Sequence, residues 1–197
     1  DNSFSVDLYS DNGAIAIGPG GDLFITQYGS EILRYSSTGT PLASFPSHPA
    51  LTNAVDLASD GTNVYAVNLN ASSQQYSVLK FSSAGVYTGT IFGNQYNPSD
   101  PARPRIEFPS LTAPNQSLFV ADPLSRNVWA INTTTGQIQS QFVYLQFGGL
   151  NHAAFLAFGR TTDTRAFLFD VSSNSSLVTG YVNSAGDLKL QVAPGAP

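Results

Sequence analysis

Short apolar runs with polar ends recur along this chain in a fixed order. Leu23-Phe24-Ile25-Thr26-Gln27, Val64-Tyr65-Ala66-Val67-Asn68, Leu118-Phe119-Val120-Ala121-Asp122 and Ala166-Phe167-Leu168-Phe169-Asp170 each carry an aromatic residue second and a polar residue last. A second run follows each: Ile32-Leu33-Arg34-Tyr35, Val78-Leu79-Lys80-Phe81, Val128-Trp129-Ala130-Ile131 and Val178-Thr179-Gly180-Tyr181. A turn of small residues then closes on glycine at Gly39, Gly85, Gly136 and Gly186. These segments are rich in Val, Ile, Phe, Tyr and Thr, the residues a pleated and half-buried surface prefers. Period-2 alternation, as in Leu188, Leu190 and Val192 against Lys189 and Gln191, predicts strands. The almost uniformly apolar stretch 150–159 is too short for an ordinary helix and is expected to be a buried strand.

The marker aromatics Phe24, Tyr65, Phe119 and Phe167 lie 41, 54 and 48 residues apart. Short strands repeating every 40–50 residues or so are the mark of propeller blades. The expected fold is therefore all-β: a β-propeller of four four-stranded antiparallel blades with an extra N-terminal strand. Residues 13–45, 53–92, 105–143 and 151–193 form the blades of a single domain spanning 1–197. Their inner strands are expected at 14–17, 54–57, 106–108 and 153–158, and their outer strands at 41–45, 86–91, 137–142 and 188–192. The proline-rich segment 93–105 lengthens the connection from blade two to blade three; it reads equally as a binding loop and as a tolerated excursion. Residues 3–9 alternate as a seventeenth strand, with Phe4, Val6 and Leu8 on one face. An unpaired strand is a template for another chain, so it would pair with the last blade or with a neighbouring molecule.

The segment 13–45, with Ile15-Ala16-Ile17-Gly18-Pro19-Gly20-Gly21-Asp22-Leu23-Phe24-Ile25-Thr26 followed by Ile32-Leu33-Arg34-Tyr35-Ser36-Ser37-Thr38-Gly39, resembles an NHL-type propeller repeat. Residues 118–138 resemble it nearly as well, blade two with a longer hairpin, and blade four loosely. The resemblance implies architecture, because propellers host many unrelated activities. Gluconolactonase-type lactonases, which are similar to this fold but use six blades, hold a divalent cation on the axis with carboxylate and amide oxygens.

Charge and composition exclude several partners. Of 197 residues only 11% are charged, and the net charge is −5 from eight cations and thirteen carboxylates. So few cations cannot neutralise a phosphate backbone, so no nucleic-acid partner is expected. No apolar run of membrane-spanning length occurs, so no membrane span is expected either. The absence of cysteine rules out disulfides, thiolate metal sites and thiol nucleophiles in this sequence. The chain opens on Asp1 without methionine, which reads as a processed or excised product with its signal peptide already removed.

The catalytic inventory is sparse. His48 lies in a Phe-Pro-Ser-His-Pro connection and is expected to be an exposed loop residue; His152 opens the inner strand of blade four. No nucleophile elbow accompanies either. No cofactor is expected, with calcium the cation that Asp56, Glu107, Asp122 and Asp170 could hold if they converged. Asp56 and Glu107 read as matching positions on inner strands. The strand-end residues Gln27, Asn68, Asp122 and Asp170 recur in every repeat, which favours reading them as acceptors for the backbone of the next turn over reading them as metal ligands. Sequons at Asn70, Asn115, Asn132 and Asn174 fall in hairpin turns, and attached glycans would help to solubilise so uncharged a surface.

The leading expectation is thus a secreted, extracellular or cell-surface glycoprotein. It would be a non-enzymatic structural or interaction subunit whose partners are copies of itself or other extracellular proteins. The first alternative is a divalent-cation-dependent hydrolase or lactonase with an axial site. The second is a carbohydrate-binding module using Tyr28, Tyr96 and Trp129.

Overall fold

The computed structural model describes residues 13–26, 29–100, 102–109, 117–143, 153–158, 165–170, 177–182 and 188–192; from residue 142 onward it describes the strand backbone alone. These residues form sixteen strands and no α-helix, with a single 3-10 turn at Pro19–Gly21. The expected strand at 3–9, with Phe4, Val6 and Leu8, lies outside the described residues.

The strands make four antiparallel four-stranded sheets, each in chain order. The first holds β1 (Ile15–Ile17), β2 (Leu23–Thr26), β3 (Ile32–Tyr35) and β4 (Pro41–Leu42). The second holds β5 (Ala54–Ser59), β6 (Asn63–Asn70), β7 (Gln75–Ser82) and β8 (Tyr87–Gln95). The third holds β9 (Arg105–Glu107), β10 (Ser117–Asp122), β11 (Asn127–Asn132) and β12 (Ile138–Val143). The fourth holds β13 (Ala153–Phe158), β14 (Arg165–Asp170), β15 (Leu177–Val182) and β16 (Leu188–Val192). The chain divides into two compact units, Asp1–Gln95 with the first two sheets and Tyr96–Pro197 with the other two. In the first unit β5 lies beside β1 and β2, and in the second β13 lies beside β9 and β10.

The core of the first unit comes from both its sheets. Phe24 and Ile32 from one, and Leu57, Val64, Leu79 and Phe81 from the other, pack around Phe45 and Leu51 of the connecting segment. Phe45 stands edge-on to Phe24 at 5.3 Å and tilted against Phe81 at 5.5 Å. Burying one such ring contributes roughly 2–3 kcal/mol. This explains why β4 is shorter than expected. Pairing ends at Leu42, and Phe45 turns inward to 5% exposure while its N–H donates to the Ile32 carbonyl at 3.0 Å.

β8 departs the other way: it starts at Tyr87 and runs through Gly93 to Gln95. The β6–β7 hairpin is eight residues on each side, and the outer strand follows β7 to its start, absorbing two register shifts. The irregular excursion therefore begins at Tyr96. Among its described residues, Asn97 and Asp100 side chains accept the N–H groups of Ser99 and Ala102, and the Arg103 guanidinium donates to the Asp100 carbonyl.

The repeated turn is built alike in the two places it is fully described in the first unit. Ser36 and Ser82 each receive the N–H of the glycine three residues on, and their hydroxyls accept the N–H four residues on. Gly85 sits at φ +82°, where a Cβ would come within 2.8 Å of the Phe45 ring.

Candidate functional site

The first strands of the second and third sheets carry the candidate acids Asp56 and Glu107, and their register decides which residues correspond. In each sheet the marker aromatic of the second strand faces one residue of the first. Phe24 faces Ala16, Tyr65 faces Ala58, Phe119 faces Glu107 and Phe167 faces Ala157. Glu107 therefore takes the place that alanine holds in the other sheets. Asp56 faces Val67, two residues further along β6, and the equivalent partner of Ala121 in the third sheet is Arg105. The reading of Asp56 and Glu107 as matching positions is corrected accordingly: the counterpart of Asp56 is Arg105. The cause is the length of the connection: Asp56 lies nine residues before its marker Tyr65, whereas Glu107 lies twelve before Phe119, so only the pairing shows which positions correspond. Beyond Asp56, Val55 is an extra residue between the Ala54–Asn68 and Asp56–Val67 pairs, so the alternation along β5 shifts by one between Ala54 and Asp56. Bulges re-aim side chains and cluster next to active sites. Asp56 is half-buried on the first strand of its sheet, with Val55 and Leu57 buried on either side.

The strand-end residues do different work in different sheets. Asp122, fully buried, accepts the N–H groups of Leu124 and Ser125 at 3.1 and 3.2 Å and so caps its own hairpin. Asn68 reaches the other way. Its Oδ1 accepts the N–H groups of Thr52 and Asn53 at 2.7 and 2.8 Å, in the segment before β5, and its Nδ2 donates to Thr52 Oγ1 at 3.2 Å. In the first sheet Thr26, one residue earlier, accepts the Ala14 N–H through its hydroxyl at 2.8 Å. Gln27 and the side chain of Asp170 lie outside the described residues. Among the described residues no three of His, Cys, Asp and Glu gather at metal-binding distance. Glu107 Oε1 accepts the adjacent Phe108 N–H, and Asp122 is engaged with its turn.

His48 is half-buried, contrary to the expectation of an exposed loop residue. Its ring stacks on Tyr87 at 4.0 Å, and Nδ1 accepts the Ala50 N–H at 3.1 Å. That bond places the neutral ring's proton on Nε2. Ser47, Leu51 and Thr52 line a shallow depression beside it. Among the described residues no carboxylate or hydroxyl is hydrogen-bonded to His48, so no nucleophile–base pair forms there. His152 lies outside the described residues.

Asp60 is an acid with a perturbed ionisation. Burial acts to raise its pKa, but the Asn63 N–H and side chain, the Tyr65 hydroxyl and the Thr62 N–H together outweigh it, so the carboxyl ionises below its usual value. These contacts tie the β5–β6 turn to the buried Tyr65 ring.

Of the sequons, Asn70 and Asn132 sit at hairpin tips, where each Oδ1 accepts two N–H groups of the turn; Asn115 and Asn174 lie outside the described residues. Of the candidate stacking aromatics, Tyr96 is only 7% exposed, Trp129 is half-buried with its indole N–H fully enclosed, and Tyr28 is not described. Tyr96 thus offers no open ring to a ligand. No helix among the described residues is long and apolar enough to cross a membrane.

No family model matches the sequence, and no curated protein does. Solved structures do. A chain of a nidogen/laminin complex is 14% identical with a TM-score of 0.61, covering 90% of this chain and 63% of that one. A Thermus thermophilus protein assigned as an oxidoreductase (glucose dehydrogenase) is 13% identical with a TM-score of 0.52, covering 93% and 84%. A Bacteroides uniformis protein assigned as a 6-phosphogluconolactonase is 17% identical with a TM-score of 0.53, covering 92% and 55%. The chain is thus propeller-like in fold and spans less than two thirds of the nidogen/laminin chain and of the Bacteroides protein. These likenesses correct the leading expectation of a non-enzymatic building unit: the fold is shared with proteins assigned as enzymes, so it gives no ground for a purely structural role. The physical reason is that propeller sites are assembled from inner strands and loops far apart in sequence. An empty inventory of linear motifs therefore carries little weight.

Proposed function

We propose that the four sheets are blades of an NHL-like propeller and that the chain is a hydrolase of the lactonase type, with Asp56 as its working carboxylate. The observation that carries this reading is the placement of Asp56, half-buried on the first strand of its sheet and adjacent to the Val55 bulge. The fold's likeness to proteins assigned as a 6-phosphogluconolactonase and a glucose dehydrogenase supports a sugar-derived lactone as the substrate class. In this role the Asp56 carboxylate takes a proton from water as it adds to the lactone carbonyl; the ring C–O bond then breaks and the alkoxide takes the proton up. The acids among the described residues do not gather into a cation site, so no step is routed through a metal.

The test is proton release on opening of D-glucono-δ-lactone, followed at constant pH with the full chain, with calcium and with a chelator. Turnover above the uncatalysed rate is expected, and Asp56→Asn should lower it by roughly 10²–10⁴-fold, the usual contribution of a positioned base. A wild-type rate equal to the uncatalysed rate in both media, or an Asp56→Asn variant as active as the wild type, would overturn the proposal.

A further inference from the structure

The second sheet has a polar cleft on one face, and it arises from cross-strand register. Partners directly opposite one another in antiparallel strands lie on the same face. Asn70, Gln75 and Gln95 form one row across β6, β7 and β8; Asn68, Ser77 and Gly93 form the next. Leu79 and Thr90 continue the face. The facing wall is Pro49, Ala50 and Thr52. That wall is fixed from below by Asn68, through the Thr52 and Asn53 N–H groups, and by His48, through the Ala50 N–H. Gly93 also lines the cleft, and a Cβ there would crowd the Tyr76 carbonyl at 3.0 Å. The cleft volume is about 570 Å³, within the range of small-molecule sites.

We infer that this cleft binds a neutral sugar, a mono- or disaccharide, through the carboxamides of Gln75 and Gln95 and the hydroxyl of Ser77. Three observations carry the assignment. No lining residue is charged, so the site offers nothing to neutralise a phosphate or carboxylate. The lining is dominated by carboxamides and hydroxyls, which present donors and acceptors side by side as vicinal hydroxyls require. Gln75, Ser77 and Gln95 side chains make no hydrogen bond to another described residue, so their bonding capacity is open to a ligand, whereas Asn68 is consumed by the wall. The site shares no residue with the proposed Asp56 centre, so the two stand or fall separately.

The experiment is saturation-transfer NMR of the full chain with D-glucose, D-galactose, N-acetyl-D-glucosamine, cellobiose, lactose and chitobiose, with D-glucose 6-phosphate as the charged control. Amide shifts are followed at Ser77 and Gly93. At least one neutral sugar should bind saturably, move both amides and be preferred over the phosphorylated control. Gln75→Leu and Gln95→Leu, at exposed positions where folding is preserved and checked by circular dichroism, should each weaken binding roughly 3–10-fold. Absence of saturable binding by all six sugars, binding that leaves both amides unmoved, or binding unaltered in the double variant would each overturn the assignment.

Discussion

Asn68→Ala tests how the wall of the cleft is held. Asn68 is 4% exposed, and its Oδ1 is the acceptor for two backbone N–H groups at 2.7 and 2.8 Å. Alanine removes that acceptor and the Nδ2 bond to Thr52 Oγ1. Thr52 is exposed, so water replaces part of what its N–H loses, and that bond counts at the net value of about 0.5–1.5 kcal/mol. Asn53 is half-buried, so its stranded N–H counts nearer the desolvation cost of about 1–3 kcal/mol. Together the expected destabilisation is roughly 2–4 kcal/mol. Asn68→Asp keeps an acceptor oxygen in place and should recover much of this, as Asp122 performs a comparable acceptor role in the third sheet. The assay pairs urea unfolding by circular dichroism with amide exchange of Thr52 and Asn53. Exchange at these two amides should accelerate in Asn68→Ala ahead of the β6 and β7 amides. A loss below about 0.5 kcal/mol with both amides still protected would refute the reasoning, since it would mean that packing alone positions the segment.

Two further outcomes follow from local geometry. Gly85→Ala forces a side chain into the left-handed region at φ +82° and against the Phe45 ring and Pro46 Cδ at 2.8 and 2.9 Å. The combined conformational and crowding cost is about 2–5 kcal/mol by urea titration, and a cost near zero would show that the aromatic core yields freely. Asp60 has a depressed folded-state pKa, so its contribution is fully present above the unfolded carboxyl value of about 4 and is lost as pH falls through the folded value. The stability gap between wild type and Asp60→Asn should therefore be larger at pH 7 than at pH 3; an equal gap at both would refute the assignment of its hydrogen bonds to the ionised form.

The strands and hairpins of this chain were legible in its sequence because the signals that make them are local. An aromatic in second place, alternation of buried and half-exposed side chains and a glycine closing each Ser- or Thr-rich turn act over a few residues, and the turns at Gly39, Gly85 and Gly136 all adopt positive φ. Even so, the ends of β4 and β8 were misjudged, since Phe45 leaves its sheet for a core shared with Phe24 and Phe81, and β8 follows the full length of β7. The candidate sites were not legible, because they depend on pairing between segments distant in sequence. Only the pairing of β5 with β6 and of β9 with β10 makes Arg105, rather than Glu107, the counterpart of Asp56. Only tertiary contact turns Asn68 toward Thr52 while Asp122 caps its own turn. Likewise, Gln75 and Gln95 face one cleft solely because the register of β7 against β8 sets them opposite. Local propensity determines that a strand forms; which face a side chain takes, and what it meets there, is decided by a register that one extra residue reverses.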